Sequence, residues 1–256
     1  MSIFKWTTEP KKIYIRVDVP LITTPWIYHN SDLWLISLSS DWSNWITISD
    51  KNLWATQVWN SWDTLSEANA GKYYQWGNNY GFPFTWSVTT SSTQVDASNY
   101  WPWNYYSSST FITKNPRDSS WNNNLRWWAT WTNEAMQWPC PTGFHIPLNS
   151  ELNDVYTIRT ALWGWASDWT NFWIALKLPF GGYRSRIDAS VTSQNSVGQY
   201  WASNLYTASF AYTLLIDSSS INSLANGGCG FGIMVRPFKN DAVQPDDTWT
   251  VLYPSS

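Results

Sequence analysis

Apolar and polar positions alternate over three short stretches in the first fifth of the chain. Ile13 to Val19, Leu33 to Leu38 and Ile46 to Ile48 carry β-branched and aliphatic residues at the spacing of half-buried strands. A fourth segment, Gly71-Lys72-Tyr73-Tyr74-Gln75-Trp76-Gly77, predicts an aromatic strand. From 85 to 125 the periodicity fades into Ser, Thr, Asn and Tyr, which predicts a long loop. Structureless segments of that length are often the ones a domain uses.

The period turns helical near the middle. Leu152, Val155, Tyr156 and Leu162 fall on one face. Pro147 precedes them, Asn149 or Ser150 offers a cap, and Glu151 suits the first turn of a helix dipole. The helix is predicted from Asn149 to Leu162, with Trp163-Gly164-Trp165 ending it. Strands are then predicted at Ile174 to Leu178, Gly182 to Arg184, Gln199 to Ser203, Ala211 to Ile216 and Phe231 to Val235. The pattern reads as an α+β domain, with antiparallel sheets, one or two helices and long loops. Residues 41–240 form the domain in this reading. Residues 1–40 are a strand extension or the end of a preceding module, and the polar tail 241–256 packs loosely. The expected core is Tyr74, Trp76, Leu152, Val155, Leu176, Leu178, Tyr183, Trp201, Leu214, Phe231, Ile233 and Val235, with Leu152, Trp201 and Ile233 sharing one interior. Arg184 and Arg236 are expected to tie loops to the sheet by hydrogen bonds.

Charge narrows the function. Of 256 residues only 13% are charged, and the net charge is −3, without the clustered Lys and Arg of a nucleic-acid partner. No apolar run reaches the roughly 20 residues that span a bilayer. Met1 to Pro10 lacks the apolar stretch of a signal peptide. The chain is therefore read as the C-terminal portion of a longer surface protein exported by an upstream signal, a complete cytosolic protein being the alternative. Cys140 and Cys229 fit a disulfide or two free buried thiols equally.

Catalysis needs a constellation, and the motifs supply none. The two histidines, His29 and His145, are far apart, and His145 beside Pro147 suits a structural hydrogen bond. There is no phosphate loop, no Gly-x-Ser-x-Gly elbow and no Cys/His spacing for zinc. Glu151, Asp154, Asp168 and Asp188 are too scattered for a glycosidase pair. No cofactor or metal is expected.

Tryptophan is the anomaly. The chain has 23 Trp against 12 Gly, whereas glycine usually makes up about 7% of a protein. Many of the Trp stand among Asn, Asp, Ser and Pro, as in Val58-Trp59-Asn60-Ser61-Trp62-Asp63 and Tyr100-Trp101-Pro102-Trp103-Asn104. Such turns favour a residue that tolerates positive φ, which glycine does and tryptophan does not. One reading is that many are native glycines, encoded by UGA codons that some bacteria read as Gly and other decoding tables read as Trp. It covers Trp26, Trp34, Trp42, Trp54, Trp59, Trp62, Trp86, Trp101, Trp103, Trp121, Trp128, Trp131, Trp138, Trp163, Trp165, Trp169 and Trp173. Trp76, Trp127, Trp201, Trp45 and Trp249 are read as genuine, and Trp6 is unassigned. The rival reading makes the Trp stacking platforms for sugars.

Four motifs in order carry a family resemblance. Cys140-Pro141-Thr142-Gly143-Phe144-His145-Ile146-Pro147 is followed by the helix, then by Leu178-Pro179-Phe180-Gly181-Gly182-Tyr183-Arg184. Gly198-Gln199-Tyr200-Trp201-Ala202-Ser203 and Gly230-Phe231-Gly232-Ile233-Met234-Val235-Arg236 complete the series. Together with Ile48-Ser49-Asp50-Lys51-Asn52-Leu53 and Tyr73-Tyr74-Gln75-Trp76 upstream they resemble the Fibrobacter succinogenes major paralogous domain, a set of bacterial surface modules with a C-type-lectin-like fold. The resemblance spans about residues 45–240. Its pattern has Gly where this chain has Trp54 and Trp138, and Trp at Trp201. It departs where many members end in Val-Arg-Cys, since Pro237 follows Arg236 here.

The resemblance implies a non-catalytic module at the cell surface that recognises a protein or a glycan, without nucleic acid or membrane insertion. A structural adhesin module without its own ligand is one alternative. A formylglycine-generating type of enzyme, which shares the broader fold and needs a reactive cysteine pair, is another. Some C-type-lectin-like proteins are diversified by retroelements that convert Asn codons mostly to Asn, Tyr, Ser, Thr, Asp, Ala and Phe. On that basis the ligand face is expected to include Asn204, Tyr206, Thr207, Ser209, Phe210, Ser218, Ser220, Asn222 and Asn226. Gln244-Pro245-Asp246 spells a calcium-and-sugar tripeptide of animal lectins but follows the last core strand, so calcium is not implied.

Overall fold

The computed structural model describes residues 26–41, 43–93, 95, 106–113, 139–163, 169–207, 209–245 and 248–251. The strand expected at Ile13 to Val19 and most of the loop expected at 85–125 lie outside them. In chain order the elements are β1 (Trp26–Asn30), β2 (Leu35–Ser39), β3 (Ile46–Ser49), α1 (Glu67–Ala70), β4 (Tyr74–Gln75), β5 (Thr90–Ser91), β6 (Phe111–Ile112), β7 (Phe144–His145), α2 (Asn149–Trp163), α3 (Trp169–Ala175), β8 (Tyr183–Arg184), β9 (Val191–Thr192), β10 (Val197–Thr207), β11 (Phe210–Asp217), β12 (Ile221–Gly228), β13 (Gly232–Ile233), β14 (Phe238–Lys239) and β15 (Thr250–Val251).

The protein is α+β, built mostly from antiparallel sheets. One sheet runs β15-β1-β2-β3-β14-β7, a second β10-β11-β12, and a third β4-β13-β8-β9. A short parallel pair, β5-β6, stands beside them. Segment 26–40 belongs to the first sheet, since β1 and β2 pair along five positions and β2 continues into β3. The tail also joins it. Thr250 and Val251 pair with His29 and Tyr28, and Trp249 is buried, so this part of the tail is tied in rather than loose.

Two segments depart from the expected elements. Ile174 to Leu178 alternates like a strand, yet α3 covers Trp169–Ala175 and Leu176 donates its N–H to the Phe172 carbonyl. Phe172 and Leu176 are both buried one helical turn apart, so a period of about 3.6 governs where a period of two was read. Ile221–Gly228, which is not among the expected strands, is the edge strand β12. Its inward positions are mostly small or polar, Ser223, Ala225 and Gly227, and give little hydrophobic signal.

The interior divides into two clusters, not one. Leu152, Val155, Ile158, Leu176, Leu178, Tyr200, Leu214, Ile216 and Met234 belong to the first. Tyr74, Trp76, Trp201, Ala211, Ile233 and Val235 belong to the second. Leu152 therefore does not share its cluster with Trp201 and Ile233. Strand geometry explains this: neighbouring residues point to opposite faces, and the middle of β10 is covered on both, with Tyr200 in one cluster and Trp201 in the other. Hydrogen bonds stitch this middle layer. Trp201 Nε1 donates to the Tyr74 carbonyl at 2.7 Å, and Trp76 Nε1 to the Ala202 carbonyl at 3.1 Å. Tyr183 and Phe231 of the expected core are half-buried and meet edge to face at 5.3 Å.

Two buried arginines act as ties, as the sequence predicts. Arg184 donates to the carbonyls of Pro83, Trp86 and Ala189. Arg236 donates to Asn52 Oδ1 at 2.9 Å and to the carbonyls of Ser49 and Lys177. Burial pulls the Arg236 pKa down to about 10, against the opposing pull of Tyr200 and Asp50. The guanidinium stays charged at neutral pH, so these carbonyls replace its water.

Candidate ligand-binding face

The β10-β11-β12 sheet and helix α2 position the residues expected to meet a ligand. Helix α2 lies against all three strands, its Leu152, Val155 and Ile158 packing with Leu214, Ile216 and Ile221. The second cluster covers the other side of the sheet, where Trp201 and Ala211 are fully buried. Each face is thus covered over part of its length and open over the rest.

Register sorts the nine candidates. Residues paired directly across antiparallel strands share a face. Phe210 pairs with Thr207, and Tyr212 pairs with Asn226, so these four face one way. Tyr206 meets Tyr212 edge to face at 5.2 Å and is 53% exposed. Thr207 and Asn226 are exposed, and Phe210 and Tyr212 half-buried. Leu215 pairs with both Gln199 and Asn222, and along β11 it faces opposite to Tyr212. Asn222 is therefore exposed on the other face, near the turn that holds Ser218 and Ser220.

Three candidates serve the fold itself. Asn204 Oδ1 accepts the Asn149 N–H at 2.9 Å, and its Nδ2 donates to Asn149 Oδ1 at 2.6 Å. It satisfies a free N–H at the start of α2. Ser209 is buried, and its carbonyl accepts the Cys229 N–H. Ser220 donates its hydroxyl to Asp217 Oδ2 at 2.9 Å and its N–H to Oδ1, closing the β11–β12 turn. Ser218, in the same turn, is exposed. The structure thus brings together Tyr206, Thr207, Phe210 and Asn226, adds Tyr212, and leaves Asn222 and the turn serines elsewhere. Tyr212 was legible only as a strand residue. Its place on this face follows from the ladder register, which sequence does not specify.

Other polar groups resolve into structural roles. His145 is buried, with Nδ1 2.9 Å from Asn240 Oδ1 and Nε2 3.0 and 3.1 Å from the two Glu151 oxygens. Burial disfavours the charged ring, but the hydrogen bond and charge of Glu151, with Asn240, outweigh it and raise the pKa. Both ring nitrogens face oxygen acceptors, which the imidazolium satisfies. Glu151 Oε2 also accepts the Leu148 N–H at 2.7 Å. The cap therefore centres on Leu148 and Glu151 rather than on Asn149 or Ser150. Cys140 and Cys229 are free, buried thiols, and burial pushes both up.

Two hollows open on the described surface. One of about 710 Å³ is lined by Ser40, Asp41, Asn44, Trp45, Asp154 and Gln244 among others. The Asp41 carboxylate there already accepts the N–H groups of Ser43 and Asn44. The other, about 360 Å³, lies among Trp34, Lys51, Leu53, Trp54 and Phe144. Among the described residues, no group of three or more His, Cys, Asp or Glu side chains converges to hold a metal ion. Among them, too, no helix is long and apolar enough to cross a membrane.

No family model, no curated protein and no solved structure matches this chain.

Proposed function

We propose that this chain is an exported, non-catalytic binding module of the C-type-lectin-like kind that recognises a protein or a glycan through the free end of the β10–β12 sheet. The observation that carries the reading is the cluster of Tyr206, Thr207, Phe210, Tyr212 and Asn226 on one open face. Tyrosine rings present rigid, amphipathic surface at low entropic cost, and the amide adds adaptable hydrogen bonds. No charged side chain belongs to this group, which suits a neutral saccharide or a polar peptide surface.

The motifs behind the family resemblance support it further by converging. Gly182 bridges to Gly198, Tyr200 to Met234, and Ile233 pairs with Tyr74. Segments up to about 160 residues apart thus meet at one layer. The state of the thiols speaks against the formylglycine-generating alternative, because a nucleophilic cysteine needs an accessible, lowered-pKa thiolate, and both are buried and raised.

The test is a glycan array and a protein array probed with the chain and with its Tyr206→Ala/Tyr212→Ala variant. Binding that disappears in the variant while its melting temperature stays within a few degrees supports the reading. Binding that survives both truncations moves the site elsewhere. Silence on both arrays favours a structural surface module.

A further inference from the structure

We infer that Trp34 and Trp54 occupy glycine positions of the native chain, and that the cell producing it decodes UGA as glycine. The backbone carries this. Trp34 has φ of 57° and Trp54 of 66°, in the left-handed region where a Cβ crowds the following carbonyl. Asn or Asp offsets that cost with local hydrogen bonds, and glycine has no Cβ to crowd. A tryptophan there needs strong packing of its ring to hold the conformation. Neither ring has it: Trp34 is 58% and Trp54 65% exposed. Lys51 Nζ stands 3.6 Å from the Trp34 ring centroid, a contact at the surface that water and salt weaken.

The contrast with Trp76 and Trp201 sharpens the assignment. Both are wholly buried in an unstrained backbone, and both indole N–H groups are hydrogen-bonded. Trp62 and Trp86, 80% and 73% exposed, behave like the first pair in exposure. Trp59 is buried with its Nε1 lacking a partner. Trp54 does reach the Tyr74 side chain with a hydrogen bond, and Lys72 Nζ stands 5.7 Å from its ring, but among the described residues only Trp34 and Trp54 combine a left-handed backbone with an exposed ring.

A functional consequence follows. Trp34 and Trp54 line the hollow of about 360 Å³ beside Lys51, so that apolar hollow belongs to the tryptophan form and not to the native surface. With the four exposed indoles removed, the large exposed hydrophobics among the described residues are Leu33, Tyr80, Ile187, Tyr206 and Leu224. Tyr206 and Leu224 both stand on the β10–β12 sheet.

The gene from the producing organism decides the matter. UGA at codons 34 and 54 with UGG at codons 76 and 201 is the expected result. UGG at 34 and 54 overturns the inference, as does UGA at all four, which would mark UGA as an ordinary tryptophan codon in that cell. A second measurement acts on the protein itself. The Trp34→Gly/Trp54→Gly variant should melt above the tryptophan form by about 4 °C or more. An unchanged or lower midpoint overturns the claim that these positions need glycine.

Discussion

Replacing Asn204 by Ala separates a fold contact from a ligand contact at a residue where both were plausible. The substitution removes two hydrogen bonds to Asn149, of 2.9 and 2.6 Å, and leaves the Asn149 N–H without its partner at the first turn of a 15-residue helix. Loss of a capping side chain costs about 0.5–2 kcal/mol, and an orphaned buried donor about 1–3 kcal/mol. Asn204 is only half-buried, so water recovers part of the loss and about 1–2 kcal/mol remains. In a protein of this size that corresponds to a melting temperature lower by about 2–8 °C. Thermal unfolding followed by circular dichroism, without any ligand, measures it. Asn204→Asp provides the control. It keeps an acceptor for the Asn149 N–H and adds negative charge at a helix N-terminus, so it should recover at least half of the loss. An Ala variant as stable as the parent would refute the capping role and return Asn204 to the ligand face.

Two further outcomes follow from the geometry. Gly182→Ala places a Cβ 2.1 Å from the Thr192 carbonyl oxygen and 2.7 Å from the Gln194 nitrogen, at φ of +68°, and should cost about 3 kcal/mol or more or abolish soluble expression. Gly143→Ala, at φ of +83° with its nearest atom 4.0 Å away, should cost only about 1 kcal/mol, and equal losses for the two in denaturant melts would refute the steric argument. His145 has a folded pKa raised above 6.5, so its contribution is fully present below that value and is lost as pH rises through the folded pKa. The stability gap between the parent and His145→Gln should therefore stay level below about pH 6.5 and narrow as the pH rises beyond it, and a gap that widens would contradict the imidazolium assignment.

How far the sequence revealed the fold depended on where the hydrophobic signal was concentrated. Helix α2 was readable because Leu152 and Val155 repeat at helical spacing behind a proline. Strands β10 and β11 were readable from Tyr200, Trp201, Leu214 and Ile216. Helix α3 was misread because Ile174, Leu176 and Leu178 happen to alternate, while the Phe172–Leu176 pair that anchors it spans a single turn. β12 escaped because an edge strand rich in Asn, Ser and Gly resembles a loop in composition. The division of the interior was invisible for a related reason: a hydrophobic run such as Tyr200-Trp201-Ala202 says that a strand is buried on both faces, but not that two separate clusters cover it. At the candidate face, residue type alone could not distinguish Asn204, which caps a helix, from Asn226, which meets solvent. The hydrogen bonds of Asn204 to Asn149 at the start of α2 and the pairing of Asn226 with Tyr212 across β11 and β12 divide them.

The pairing of β1 with β15 has a mechanical consequence. These strands are antiparallel, with Tyr28 opposite Val251 and His29 opposite Thr250, so the chain enters and leaves the sheet at the same end. Tension applied between its two ends peels these bonds apart one after another instead of shearing them all at once, and β15 detaches at low force. The remaining β1–β2–β3 ladder, with its longer registers, then takes the load. Under such tension β15, the last strand among the described residues, gives way before the packed layers behind it.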